Sequence, residues 1–336
     1  MLMNSWLKSF RSLCEVKNPA KRMRRWSVKR RNAGSISQNP AEVLEPRSLL
    51  TTFTVNSLAD TPDANPGDGF AVDANGETSL RAALGEANAL AGADIIEFND
   101  GSGVGVNFHN ATPDIITLAG TQLTISSDLI IRGPGADLLT VSGNSITRVF
   151  EIGTGDHDVE FESLTIADGR TTGSNGPGKN GAGVRNRSSG VVEITDTVFT
   201  GNRTAFRGGG VYHETGTLVV SNSEFDRNVA IRDGGAMAID SNARIEFSTI
   251  NSNTANSSGG LDLGTAATVV ITDSTISANR GIFSVIVANG GDAGGIGNHG
   301  QLTILNSTVS GNSARVDGGG IANYSGVSTV VNRTLT

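Results

Sequence analysis

The sequence predicts an all-β fold, a right-handed parallel β-helix of three-strand coils of about 25 residues behind an N-terminal strand and helix cap. Three observations carry that expectation. The first is a fixed internal period: Asn202, Asn228, Asn253, Asn279 and Asn312 recur at intervals of 26, 25, 26 and 33 residues. The second is short runs of apolar alternation punctuated by Asn and Gly-Gly, the signature of strands joined by tight turns. The third is composition: 44 glycines stand against only 12 Phe, 2 Tyr and 2 Trp, which suits strands and turns rather than helix bundles.

Residues 1–51 form a basic targeting segment, expected to be disordered. Of the 26 Lys and Arg and 33 Asp and Glu in the chain, residues 1–50 hold 11 basic residues and 3 Glu, leaving 15 basic against 30 acidic residues in the body. An arm such as Lys21, Arg22, Arg24, Arg25, Lys29, Arg30, Arg31 joined to so acidic a body is poorly suited to nucleic acid, because the body repels phosphate. No apolar stretch follows Arg31, so neither an ordinary secretory signal nor a twin-arginine signal at Arg24-Arg25 fits. Glu42-Val43-Leu44-Glu45-Pro46-Arg47-Ser48-Leu49-Leu50 follows instead. This resembles the Leu-Glu-Pro-Arg-x-Leu-Leu motif at the start of many planctomycete surface and secreted proteins, and the resemblance implies export. The single cysteine, Cys14, allows no intramolecular disulfide. The longest apolar stretches, such as Ile282 to Ala288, are far short of the ~20 residues that span a bilayer.

Residues 52–110 read as a cap with one helix: a strand, an Asp/Pro/Gly loop, a helix and a second strand. Leu80, Ala83, Leu84, Ala87 and Leu90 fall at helical spacing, and Ser79 or Thr78 is a competent N-cap. Gly85 weakens this helix by roughly 1 kcal/mol relative to Ala, so packing must support it. One amphipathic helix here serves to cover the open core of the first coil. The stretch resembles the CSLREA domain that precedes β-helix repeats in secreted bacterial proteins, with Thr78-Ser79-Leu80-Arg81-Ala82-Ala83 at the defining hexapeptide. Thr78 and Ala71 replace cysteines of that family, and Ala82 replaces the Glu of a capping box. Asp60, Asp63, Asp68 and Asp73 lack the ligand spacing of a calcium loop and read as a solvated loop.

Residues 111–336 form the β-helix, its last coil incomplete. Less regular coils begin near Ile115 and use Leu123, Ile125, Leu129, Ile131, Leu139, Val141, Val149, Ile152, Phe161, Leu164 and Ile166. In the regular coils an apolar residue stands three before each Asn (Phe199, Phe225, Ile250, Ile276, Val309) and a hydroxyl five before (Thr197, Ser223, Ser248, Ser274, Ser307). Glycine pairs begin six after the Asn at Gly208, Gly234, Gly259 and Gly318, with Gly294 displaced by an insertion. Stacked Asn side chains are expected to form an amide ladder, and the glycines to permit positive φ or close approach between coils. The pattern resembles the pectin-lyase-like β-helix superfamily. Phe225-Asp226-Arg227-Asn228 and Gly234-Gly235-Ala236-Met237 further resemble repeats of chlamydial polymorphic outer-membrane proteins, which implies an adhesive or structural surface role. An uncapped final coil would favour end-to-end self-association.

Fold alone does not decide on chemistry. Asp233 and Asp317 hold equivalent places, as do Asp196 and Asp273, but each pair is three coils or roughly 14 Å apart, too far to share a glycosidic bond. His213 and His299 are likewise three coils apart, and Asp226-Arg227 and Arg232-Asp233 read as solvated neighbours. Polygalacturonase motifs are absent, Asn298-His299-Gly300 being the nearest approach. No catalytic, metal or cofactor residue is assigned. The expected function is a non-enzymatic exported or cell-surface protein, extracellular or at the outer membrane, that contacts surface polysaccharide or other surface proteins. The alternative is a polysaccharide lyase or hydrolase.

Overall fold

The computed structural model describes residues 50–173, 177–282, 293–331 and 334–335. Cys14, the basic cluster, nearly all of the export motif and the apolar stretch after Ile282 lie outside the described residues.

The body is a right-handed parallel β-helix. Three long sheets run along it, and every strand pairs in parallel with its equivalent one coil away. Sheet I has ten strands from Thr52–Val55 to Val327–Val331, sheet II nine from Asp114–Thr117 to Thr334–Leu335, and sheet III eight from Leu123–Ile125 to Ile321–Asn323. A fourth ladder, sheet IV, is built from the two-residue strands Arg203–Thr204, Val229–Ala230, Thr254–Ala255 and Arg280–Gly281 just after the Asn column. The expected inward residues form one continuous core in which equivalent side chains sit over each other, as Phe199 over Phe225 with rings 4.6 Å apart and 5° from parallel. The less regular coils begin near Ile115 as expected, with the strand Asp114–Thr117, in which Ile115 faces solvent at 55% exposure and Ile116 is the inward residue.

The Asn ladder forms as expected. The Nδ2 groups of Asn202, Asn228, Asn253 and Asn279 donate to Oδ1 of the next Asn at 3.0, 3.0, 2.9 and 3.0 Å. Each amide also donates to a backbone carbonyl of the preceding coil, as Asn253 does to Phe225 at 2.8 Å. The hydroxyl column forms a second ladder that the spacing displayed without explaining. The Ser248 hydroxyl donates to the Glu246 carbonyl at 2.7 Å and accepts the Ser223 N–H at 3.1 Å, and Ser223, Ser274 and Ser307 repeat the arrangement. Buried polar side chains must find partners, and these two columns satisfy each other's coils in rows.

Immediately before each column the chain turns through left-handed backbone. Asp196, Asn222, Phe247, Asp273 and Asn306 have φ between 46° and 50° at one corner. Asp196 and Asp273 are therefore corner residues, not strand residues. The glycine pairs work in two ways. Gly208 takes φ +69°, whereas a Cβ on Gly209 would meet the Gly235 carbonyl oxygen at 2.2 Å. Strand register aligns Leu261 with Met237, so Gly259 is equivalent to Gly235, the second glycine of its pair, and not to Gly234 as sequence spacing suggests.

At the amino end, Thr52–Val55 and Asp94–Phe98 are the first two strands of sheet I, and helix Leu80–Ala89 packs on both and on Leu123–Ile125. Ser79 caps it by accepting the Ala82 N–H at 3.0 Å. Leu80, Ala83, Leu84 and Ala87 enter the core, the support that Gly85 requires. Arg81 fixes the helix to its surroundings, with two bonds to Asp60 (2.7 and 3.1 Å) and two to the carbonyls of Thr121 and Gln122. The acidic loop is solvated only in part: Asp68 is exposed, as expected of all four acids, but the other three are not. Asp60, Asp63 and Asp73 are buried, because their carboxylates accept backbone N–H groups and hydroxyls that the loop leaves unpaired. Glu86 on the helix is fully buried and accepts the N–H groups of Gly67 and Gly69. Burial, with Glu86 opposite, pushes the Asp63 carboxyl above its ordinary range.

Candidate functional site

Alternation on a strand sends every second side chain outward, so strand register decides which outward residues meet. On sheet III the outward row runs Thr124, Glu151, Arg185, Tyr212, Ala238, Asp262, Gly297, Ala322. Charged residues from the loops entering this sheet close over part of the row, in two clusters, while Thr124 at its start stays exposed.

The first centres on Glu151, which meets Arg148 at 2.6 Å, Arg187 at 3.4 Å and Arg185 at 3.6 Å. Burial alone would raise its carboxyl, but the Gln122 amide and the Arg148 guanidinium outweigh that and hold it below the ordinary range. Arg148 is itself buried, with its guanidinium lowered to about 10 by desolvation, and it donates to the carbonyls of Gly178, Asn180 and Gly181. This cluster pins the loop around Gly178–Gly181 to the body.

The second brings together Asp233, Asp240 and Asp262, of which only Asp233 stood out in the sequence. Arg207 grips Asp240 with two bonds of 2.8 Å, reaches Asp262 at 2.8 Å and lies 3.7 Å from Asp233. Tyr212 donates to Asp240 at 2.8 Å and Ser258 to Asp262 at 3.0 Å. Arg207 and Asp233 occupy registered positions of neighbouring coils, so the meaningful partner of Asp233 is Arg207, not Asp317 three coils away. Burial, then the nearby Asp262 charge, pushes the Asp233 carboxyl up to about 7 despite two guanidinium groups. Arg232, which stacks over the Phe206 ring at 4.7 Å, is 3.9 Å from Asp233. The pair Arg232-Asp233 thus belongs to a half-buried network rather than a solvated face. Of Asp226-Arg227 only Arg227 is on the surface, at 73% exposure; Asp226 is largely covered and accepts the Asn251 amide at 3.3 Å.

The histidines are not brought together. His213 is fully buried, its Nδ1 facing the Asn186 amide at 3.0 Å, and desolvation lowers it to about 4, so the imidazole is neutral. His299 stacks on Tyr324 at 4.8 Å. Among the described residues no group of three or more His, Cys, Asp or Glu is arranged to hold a metal ion, and no helix is long and apolar enough to cross a membrane.

A cavity of about 380 Å³ lies elsewhere, between the outer face of sheet I and the loop of residues 99–109. Thr54, Glu97 and Arg132 form its floor as registered outward residues of three adjacent strands. Asp100, Ser102 and His109 form its wall. The loop is held shut on itself: Asn99 accepts the N–H groups of Gly101 and Gly103 and donates to Val106, and Phe108 packs edge-on against Phe98 at 5.2 Å. Gly105 lies so close to sheet I that a Cβ there would meet the Asn56 carbonyl oxygen at 2.3 Å. Nothing in the residue pattern flagged this cavity, because its wall comes from a single non-repeated loop.

Compared with family models, curated proteins and solved structures, the chain matches none.

Proposed function

We propose that the chain is an exported, non-enzymatic surface protein that presents the sides of its β-helix to surface polysaccharide or neighbouring surface proteins. The observation that carries the non-enzymatic part is the occupancy of the acid cluster. Both oxygens of Asp240 and both of Asp262 are already engaged, by Arg207, Tyr212 and Ser258. Glycoside hydrolysis needs one carboxyl free to protonate the leaving group and one carboxylate free to attack or to activate water. Export is supported by the basic first 51 residues, the resemblance to the Leu-Glu-Pro-Arg motif and the acidic body. The resemblance to CSLREA and polymorphic outer-membrane repeats adds the adhesive or structural role.

A second reading, a carbohydrate-active enzyme, draws on one observation. Asp233, raised to about 7, sits beside two carboxylates paired with Arg207, and a split between a protonated and an ionised acid is the arrangement acid–base catalysis uses. Incubation with a panel of polysaccharides separates the readings: binding without cleavage is expected. New reducing or unsaturated ends that disappear in Asp233→Asn would establish the enzyme. For export, fractionation of cells carrying the intact chain or one lacking residues 1–51 is expected to place only the intact chain outside the cytoplasm.

A further inference from the structure

We infer that the cavity between sheet I and the loop of residues 99–109 binds the ammonium-bearing ring of an amino sugar, a hexosamine unit within a polysaccharide. The inference rests on the polysaccharide reading above and gives it a site.

Size and rigidity come first. About 380 Å³ falls within the ~300–1,000 Å³ of ordinary small-molecule sites, toward the end that suits a single ring. The floor belongs to a sheet and the wall to a loop fixed by Asn99 and Phe108, so the cavity is formed before any ligand arrives.

Charge then selects the ligand. The one guanidinium, Arg132, lies between Glu97 at 3.1 Å and Glu162 at 2.7 Å, so its charge is already offset. Glu97 and Asp100 leave the lining net negative. Asp100 is held below its ordinary range, first by the Ser102 hydroxyl and then by the Ser102 N–H, so it stays ionised at neutral pH. A net negative lining disfavours uronate, sulfate and phosphate and attracts an ammonium group. Of the remaining lining groups the Thr54 hydroxyl offers a donor, while the Ser102 hydroxyl oxygen and the Nδ1 of His109, whose Nε2 faces the Phe98 carbonyl oxygen at 3.1 Å, offer acceptors to ring hydroxyls. An N-acetylated sugar lacks the cation and would leave Asp100 without its partner.

Calorimetric titration of the full chain with oligomers of glucosamine, of N-acetylglucosamine and of galacturonate tests this. The glucosamine oligomer is expected to bind, the N-acetylated one at least tenfold more weakly, and galacturonate not at all. Asp100→Asn keeps an oxygen to accept the Ser102 N–H, so the loop should survive, which an unchanged melting temperature checks. The variant is expected to lose at least fivefold in glucosamine affinity. Equal affinity for both hexosamines, or an Asp100→Asn protein that binds like the parent, overturns the inference. If acidic or neutral polysaccharides bind while amino sugars do not, this site fails and the polysaccharide reading stands. If no polysaccharide binds, both fail.

Discussion

The two edges of the coil solve the same problem in opposite ways. At the corner before sheet IV every regular coil supplies the same residue, and Asn202 to Asn312 satisfy one another in a row. At the loops that enter sheet III each coil supplies something different: Asn180, Arg207, Asp233 and Ser257 occupy one registered column. Like stacked on like works for a side chain that both donates and accepts, as an amide does, and fails for a charge, which needs its opposite. The lesson is that repetition builds the frame, and departures from repetition build its charged features.

That contrast can be broken from either side. The largest effect is expected at the centre of the row. Asn253→Ala removes bonds to Phe225, Asn251 and Asn279 and leaves Asn228 without its acceptor, at a cost of about 3 kcal/mol. A urea titration reads it as a lowered midpoint, and Asn312→Ala at the last described rung should cost less.

Next comes the charged edge. Arg207→Met leaves Asp233, Asp240 and Asp262 facing one another, and about 2 kcal/mol is expected at neutral pH, below the ~3–5 kcal/mol of a fully buried pair because the cluster is partly exposed. Here the sign of the pH effect matters. The folded Asp233 carboxyl titrates at about 7, above its ordinary 3.8, so the folded chain holds this proton more tightly than the unfolded one. Its contribution is therefore full below about pH 4 and lost as pH rises through about 7. Melting curves from pH 4 to 8 should show a decline that Asp233→Asn flattens; an unchanged slope would detach Asp233 from the cluster.

The smallest effect is a gain. Phe247 occupies left-handed backbone at φ 50° and is 59% exposed, where its registered neighbour Asn222 is a better fit. Phe247→Asn should stabilise by up to about 1 kcal/mol. No gain would mean that the ring does something at the surface.

The same contrast explains what the sequence made legible. Asn, hydroxyl and apolar columns were visible because their members share one period, and the helix because Ser79 and Leu80 to Ala87 carry a second one. The Arg207 cluster was hidden because its members occupy three inequivalent places: the loop residues Arg207 and Asp233, the outward Tyr212 and Asp262, and Asp240 just past its strand. Comparing Asp233 only with its period mate Asp317 gave a true separation and missed the neighbour. The acidic loop near the helix misled for a different reason, since carboxylates that accept backbone N–H groups look in sequence like carboxylates in water. Gly259 shows the limit of spacing itself: one residue of slip exchanges one turn role for another.

The Asn row also has a polarity. Within the row the amides of Asn202 to Asn279 each donate one hydrogen to the next Asn toward the carboxyl end, so each coil presents to the next the same socket that the previous coil presented to it. A module with matching plug and socket can be copied whole: duplicating residues 228–252 in frame would insert one more rung without altering any junction. An insertion of arbitrary length inside the corner would put the row out of phase. Growth by duplication is thus open at every rung, while diversification falls in loops outside the row, such as those that enter sheet III and the loop of residues 99–109.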